Sequence, residues 1–163
     1  MLVLALDPSL SSTGYAVIDS DTLKLVCKGK INTSRKDSTD DRIEQIITKL
    51  NFLPEAPHVI LEDGFIGKNA RTGLQLSELR GATIFNFRWQ KRKVVHRQPS
   101  EIRKDFGLPG NAKKEQVAEE VLKYYPYLEA QIGPYSDKAN KQKTSDIYDA
   151  ISIGLSYILN LKE

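Results

Sequence analysis

The N-terminal segment reads LVLALDPSLSSTGYAVI (residues 2–18), in which two strand-like apolar runs flank a short polar turn. The first run is apolar at every position from Leu2 to Leu6, which is typical of a central strand with a core on both faces. It ends on Asp7, so a carboxylate stands where a buried strand meets solvent. An acid in that place is suited to holding a metal ion or acting beside a phosphate.

Size and composition favour one domain, spanning residues 1–163, of a soluble globular protein. The chain has 163 residues, 40% of them hydrophobic and 28% charged. Its single cysteine, Cys27, excludes an intrachain disulfide. We find no signal-peptide pattern and no apolar run of membrane-spanning length, so we expect a cytoplasmic protein. The net charge of +3 permits binding to nucleic acid without requiring it.

Periodicity along the rest of the chain predicts an α/β fold. Further strands are predicted at residues 14–18, 23–27, 58–62 and 93–96. Helices are predicted at residues 39–52, 73–89, about 99–107, 112–125 and 144–160. The polar, lysine-bearing stretch 133–145 is predicted to be a mobile loop. This order gives a five-stranded mixed sheet, an antiparallel meander followed by parallel βαβ crossovers, with helices on both faces.

This topology draws four carboxylates from three distant segments toward one point. If strands one, four and five are parallel neighbours, Asp7 and Glu62 lie side by side at their C-terminal ends. Asp146 and Asp149 are three residues apart near the start of the last helix and share one of its faces. Each acid alone has a simpler explanation, since acids are common at helix N-termini and in turns. Together they predict an acidic cluster.

Such a cluster needs protons or a cation. Two like charges about 4 Å apart repel by roughly 4 kcal/mol at an effective dielectric near 20. The predicted ligands are all oxygen atoms without histidine or cysteine, which favours Mg²⁺ or Mn²⁺. Two such ions, about 3.5–4 Å apart, could activate a water molecule and stabilise the leaving oxygen in phosphodiester cleavage.

Five groups of short motifs occur in a distinctive order along nearly the whole chain. They are Leu6-Asp7-Pro8-Ser9 with Thr13-Gly14-Tyr15, Leu61-Glu62 with Phe65 and Lys68-Asn69-Ala70, Leu79-Arg80-Gly81-Ala82, Lys114-Glu115-Gln116-Val117, and Asp146-Ile147-Tyr148-Asp149-Ala150. This ordered set resembles the RuvC family of Holliday junction resolvases. The resemblance implies a ribonuclease H-like fold and a homodimer that cuts four-way DNA junctions with divalent metal.

The resemblance also implies roles for individual residues. Asp7, Glu62, Asp146 and Asp149 match the four catalytic, metal-binding acids of the family. Phe65 matches an aromatic residue that stacks on a base at the opened junction, and Lys114 matches a lysine near the cleaved strand. Apart from the resemblance, Lys68, Arg71 and Lys113 lie on predicted loops or helix starts that would border the acids. The residues expected to contact DNA are Phe65, Lys68, Asn69, Arg71, Lys113 and Lys114.

Three features depart from the family pattern. Ser9 stands where the family often has glycine, which changes the turn without removing the acid. Asp63 is a fifth possible ligand, although strand alternation predicts that it points away from Glu62. The loop 133–145 is longer than usual, which affects strand contacts and sequence preference.

Gly81-Ala82 allows a close approach to the helix at 73–89, and the family dimer involves this region. We therefore expect this helix to pair two subunits, the alternative being that it packs on its own sheet. The basic run at residues 88–93 contains the only tryptophan. Its charges could serve DNA binding. The simpler explanation is that cations favour a helix C-terminus and that lysines protect an edge strand.

Three other functions compete with the preferred one. An ATP-handling protein of the actin–sugar kinase type would also open with an Asp-containing turn, but the second phosphate loop is missing. A ribonuclease H-like nuclease could instead cut RNA–DNA hybrids, flaps or forks. A non-catalytic DNA-binding module could keep the same fold, although four intact acids argue against it.

Overall fold

A computed structural model describes residues 1–63, 69–138 and 143–162 of the chain. One sheet contains the strands β1 (Leu2–Asp7), β2 (Ser12–Asp19), β3 (Leu25–Asn32), β4 (His58–Glu62) and β5 (Lys93–Arg97). The helices are α1 (Thr39–Leu50), α2 (Ala70–Trp89), α3 (Pro99–Asp105), α4 (Lys114–Tyr124), α5 (Leu128–Ile132) and α6 (Ser145–Leu161). Among these described helices, none combines the length and apolar character needed to cross a membrane.

The sheet has the predicted topology, with the strand order β3-β2-β1-β4-β5. β1 pairs antiparallel with β2, and β2 pairs antiparallel with β3, which confirms the meander. β4 lies parallel to both β1 and β5, which confirms the crossovers. The C-terminal ends of β1 and β4 are therefore neighbours at one edge of the sheet.

Alternation along the central strands divides the core into two layers. Leu4 and Leu6 of β1 belong to the core cluster under α1 and α2, whereas Val3 and Ala5 belong to the cluster under α6. Because side chains alternate between the faces of a sheet, Asp7 follows Val3 and Ala5 to the α6 side. Both faces are covered, as the continuous apolar run of β1 predicts.

The last helix packs directly against the strands that end in acids. α6 is buried along most of its length, as its all-round apolar character predicts. Gly154 makes this approach possible, since a Cβ built there would lie 2.9 Å from the Cβ of Ala5. This contact holds the middle of α6 against β1.

Several elements begin or end a few residues from the predicted bounds, among them β2 and α2, and two elements differ most. β3 begins at Leu25 rather than residue 23, because Asp19 Oδ1 accepts bonds from the backbone N–H groups of Asp21 (2.8 Å) and Thr22 (3.3 Å) and extends the turn. β3 then continues to Asn32, beyond the predicted end at residue 27. The polar stretch Lys28-Gly29-Lys30 lacks the apolar pattern from which a strand is predicted. The sequence pattern does not predict the five-residue helix α5, because only Leu128 in it is buried and no apolar periodicity results.

Candidate active site

Asp7 and Glu62 end two hydrogen-bonded parallel strands. The register pairs Leu6 with Leu61, so the acid that follows each leucine lies beside the other. Ile60 belongs to the core cluster under α6, and Glu62, two residues later, shares its side of the sheet. Both carboxylates therefore face α6, as predicted.

The start of α6 brings the two aspartates to the same place. Thr144 anchors it, donating its hydroxyl to the Pro134 carbonyl (2.7 Å) and accepting from the Ser136 N–H (2.8 Å). The Asp146 backbone lies against Gly14, which pairs with Asp7 in the β1–β2 register. The ends of the stretch predicted as a mobile loop are therefore hydrogen-bonded, while its residues 139–142 lie outside the described residues.

Burial and mutual repulsion change the protonation of this cluster. Burial raises the pKa of the Asp7 carboxyl to about 8, and the charges of Asp149 and Glu62 act in the same direction. Burial also raises the pKa of Glu62, against the opposing effect of Lys114. It raises the pKa of Asp149 as well, although Lys114 again opposes it. The acids thus share one low-dielectric site, where negative charge calls for a counter-charge.

Two lysines supply part of that counter-charge. Lys114 Nζ donates to Asp149 Oδ2 at 2.6 Å, and Lys143 Nζ donates to Asp146 Oδ1 at 3.0 Å. Burial acts to lower the pKa of Lys114, but Asp149, Asp7 and Glu62 outweigh it and the net shift is upward. Lys114 is therefore held as a cation inside the cluster.

The donor set fits a hard divalent cation. Every predicted ligand is a carboxylate, and buried Asp146 Oδ2 accepts no hydrogen bond from any described residue. No three acidic, histidine or cysteine side chains in the described ranges already form a metal-holding group, and two of the acids bind lysines instead. A cation that binds here would take over the charge compensation that the two ammonium groups provide.

Asp63 does not join the cluster, which agrees with the alternation argument. Its carboxylate accepts bonds from Arg80 (3.2 Å) and Gln98 (2.8 Å) and lies 3.1 Å from His96 Nδ1. Another nitrogen of the same Arg80 donates to the Glu62 carbonyl. Arg80 thereby holds the end of β4 from the α2 side.

The residues predicted to contact DNA have varied positions. Asn69 caps α2, accepting from the N–H groups of Arg71 (3.1 Å) and Thr72 (3.3 Å), and it is exposed. Arg71 and Lys113 are also exposed, at the starts of α2 and α4. Phe65 and Lys68 lie outside the described residues.

Sequence reasoning missed the contacts of Lys143 and Gly14. The sequence places Lys143 only in a lysine-bearing loop, yet its side chain reaches Asp146 and its carbonyl accepts from Lys30 Nζ (2.6 Å). Lys143 lies three residues before Asp146, and this spacing is the one signal in the sequence that could have indicated their contact. Gly14 stands in the strand opposite Asp7, and nothing local indicates that a helix will touch it.

Comparison with known proteins identifies the family. The family model described as "Crossover junction endodeoxyribonuclease RuvC" matches residues 3–156. A curated relative of that description from Finegoldia magna is 28% identical over 169 residues, covering 99% of this chain and 95% of the relative.

Solved structures share the fold. T. thermophilus RuvC in complex with a Holliday junction substrate has a TM-score of 0.76 at 19% identity, covering 99% of this chain and 95% of that chain. The complex of Fowlpox virus resolvase with substrate Holliday junction DNA has a TM-score of 0.66 at 19% identity, covering 97% of this chain and 99% of that chain. The predicted ribonuclease H-like sheet is thereby confirmed. Since the family match spans almost all of the sequence, the chain belongs to the RuvC family of crossover junction endodeoxyribonucleases.

Proposed function

We propose that this protein resolves four-way DNA junctions by paired, symmetric nicks through hydrolysis of phosphodiester bonds, with Asp7, Glu62, Asp146 and Asp149 as its catalytic acids. The observation that supports this most is the convergence of these acids from β1, β4 and α6 at one end of the sheet. The pKa values of Asp7, Glu62 and Asp149 are raised, and the charge of Asp149 contributes to the shift of Asp7. Such shifts suit a site that binds a cation. A cluster of buried acids without such a task would only destabilise the fold.

The metal dependence that is typical of the family suits Mg²⁺, with Mn²⁺ as a substitute and two ions per site. Bound ions would activate water and stabilise the developing charge on the leaving oxygen. In the assignment we propose, Asp7 and Asp149 hold one ion, while Glu62 and Asp146 hold or orient the second ion and the attacking water. Lys114 stays cationic beside Asp149 and stabilises the negative charge that grows on the phosphate.

Contact with DNA would involve the loop and helix starts that border the acids. We assign this role to Phe65, Lys68, Asn69, Arg71, Lys113 and Lys114. The exposure of Asn69, Arg71 and Lys113 leaves them free to approach phosphates. Phe65 would stack on an unpaired base, which is the role that the resemblance to the family implies for it.

Pairing of subunits fits the outer face of α2. The family acts as a dimer, and α2 exposes Phe85 and Trp89, at 69% and 77%, as a stacked pair with ring centroids 6.0 Å apart. A Cβ at Gly81 on the same helix would meet no atom within 4 Å, which leaves room for another chain. Its inner face packs on the sheet through Leu79 and Phe87, so both expectations for this helix can hold together. We propose that Phe85 and Trp89 lie in the dimer interface.

The proposal is tested by nicking of a mobile four-way junction, with and without Mg²⁺, mapped on all four arms. We expect symmetric nicks in two opposing strands that depend on the metal. Forked, flapped and RNA–DNA hybrid substrates are included, and preferential cutting of any of these would favour the broader ribonuclease H-like alternative. Nucleotide hydrolysis without DNA would favour the kinase-type alternative. We further propose that all 163 residues form one nuclease domain and that it acts in the cytoplasm of a cell or of a phage host.

A further inference from the structure

A second cavity lies next to the acidic cleft and is lined by basic residues. It has a volume of about 600 Å³, within the range of roughly 300–1,000 Å³ that is usual for ligand sites. Pro8 and Leu76 line both this cavity and the smaller one that contains Asp7 and Glu62. We refer to the larger cavity as the arginine groove. Its position makes it a direct continuation of the acidic cleft.

Three arginines give the arginine groove its charge. Arg35, Arg42 and Arg71 line it, and none of them makes an ion pair with a described residue. The one acid in the lining is Asp37, which accepts a bond from Gln45 Nε2 at 3.0 Å. The groove lining therefore carries more positive than negative charge, and none of its three arginines is paired with an acid of the described structure.

Arg42 is the most informative of the three. Its residue is only 8% exposed, yet its guanidinium bonds to neutral groups alone, Thr33 Oγ1 at 2.8 Å and Ser11 Oγ at 3.4 Å. A buried charge without an opposite charge is costly, and an anion in the groove would compensate it. Guanidinium groups suit phosphate oxygens, which accept two parallel N–H bonds.

Two helix starts reinforce the preference for an anion. Thr39 of α1 and Thr72 of α2 line the groove, and both lie in the first turn of their helices. Thr39 Oγ1 accepts a bond from Gln75 Nε2 at 2.9 Å, which ties the two helices together. The positive ends of both helix dipoles therefore lie at the same cavity.

We propose that the arginine groove binds backbone phosphates of the DNA strand that flanks the scissile phosphate at Asp7. This assignment rests on the proposed nuclease function and adds to it a second phosphate-binding site for the substrate. Ser9 and Ser11, which follow the catalytic aspartate, lie in the groove wall. A strand held there is positioned relative to Asp7 by the same turn of chain.

The test is DNA binding by the variants Arg35→Gln, Arg71→Gln and the double variant, measured by fluorescence anisotropy with a four-way junction in EDTA. Both residues are exposed, so the fold should survive their substitution, and circular dichroism checks this. Arg35 was not among the expected DNA contacts and therefore reports on the groove alone. Lys49→Gln, at the exposed C-terminal end of α1, removes the same charge away from the groove and serves as the control.

We expect Arg35→Gln to raise the Kd for the junction about tenfold and to reduce the slope of log K against log salt by about 0.9. The double variant should lose about twice that slope, and Lys49→Gln should match the wild type. A Kd and a salt slope unchanged in Arg35→Gln would overturn the groove assignment. Cutting by the wild-type protein is measured separately, so failure of the nuclease proposal would show as uncut junctions whatever the variants bind.

Discussion

Gly14 lies against the backbone of Asp146 so closely that a Cβ on Gly14 would come within 1.9 Å of the Asp146 carbonyl oxygen. The same glycine faces Asp7 in the pairing of β1 with β2. One residue without a side chain thus sets the distance between the strand that carries the first acid and the helix that carries the last two.

Gly14→Ala should therefore damage the site and destabilise the fold, because a backbone oxygen cannot move aside as a flexible side chain would. We expect a loss of about 1–3 kcal/mol in unfolding free energy. Junction cutting should fall by about 100-fold, since a displacement near 1 Å at a catalytic group has that effect. Denaturant melts and single-turnover cutting measure the two. Gly110→Ala, whose new Cβ would meet only ordinary contacts, is the matched control.

Asp7→Asn should abolish cutting while junction binding persists. The amide keeps the size of the side chain but removes the negative charge that a metal ion needs. Gel-shift binding and nicking assays, run side by side in Mg²⁺, separate the two effects. Nicking by this variant at the wild-type rate would refute the assignment of Asp7.

The stability of the metal-free protein should fall as the pH rises from about 4 to about 8. Burial raises the pKa of the Asp7 carboxyl to about 8, well above its ordinary value, so the folded state holds the proton more tightly than the unfolded state over this window. Asp7→Asn removes the cost of ionising a buried carboxyl. The variant should therefore be more stable than the wild type at pH 8 by at least about 1 kcal/mol. The difference should vanish near pH 4.

Thermal melts of both proteins across that pH range, in EDTA, provide the measurement. Adding Mg²⁺ at pH 8 should raise the Tm of the wild type more than that of the variant, because only the wild type keeps all four acids. Parallel pH profiles for the two proteins would contradict the raised pKa.

Lys114→Met should slow the chemical step by about 100-fold, the usual effect of removing one charge that stabilises a transition state. Single-turnover rates at saturating protein isolate this step from binding. Lys123→Met is the control on the same helix, where the lysine pairs with Glu120 in an exposed i,i+3 contact. Equal rates for both variants would remove Lys114 from the mechanism.

Substitution of both Phe85 and Trp89 by glutamate should yield a monomer that no longer makes paired nicks. Two charges would replace a stacked aromatic pair that we place in the dimer interface. Light scattering gives the mass, and nick mapping gives the symmetry of cutting. Val26→Glu, which places a charge on an exposed apolar position of β3 instead, should stay dimeric.

The central part of the fold follows from local sequence signals. β1 and β4 occupy the predicted residues, because uninterrupted apolar runs bounded by turns leave little choice of register. The positions of Asp7 and Glu62 follow from strand alternation and the parallel crossover. The second half of β3 has no such signal, since Lys28 and Lys30 interrupt the apolar pattern and reach Gln131 and the Lys143 carbonyl.

The parts that sequence could not predict all depend on the approach of distant segments. The contact of Lys143 with Asp146 requires the path of the chain into α6, and the gathering of Arg35, Arg42 and Arg71 requires two helices to start beside one turn. The roles of the four acids and of the expected DNA contacts remain predictions. Phe65 and Lys68 lie outside the described residues, so their roles in DNA contact are predicted from the sequence alone.

Arg80 links α2 to the end of β4, in addition to the packing of α2 in the core. This helix carries the aromatic pair Phe85 and Trp89 on one face. Its Arg80 donates a hydrogen bond to the backbone carbonyl of Glu62 in β4. A displacement of the helix along its axis on docking of a second copy would reach Glu62, which we propose as a metal ligand, through this bond. One guanidinium thus connects the face that we place in the dimer interface with the ion site that we propose.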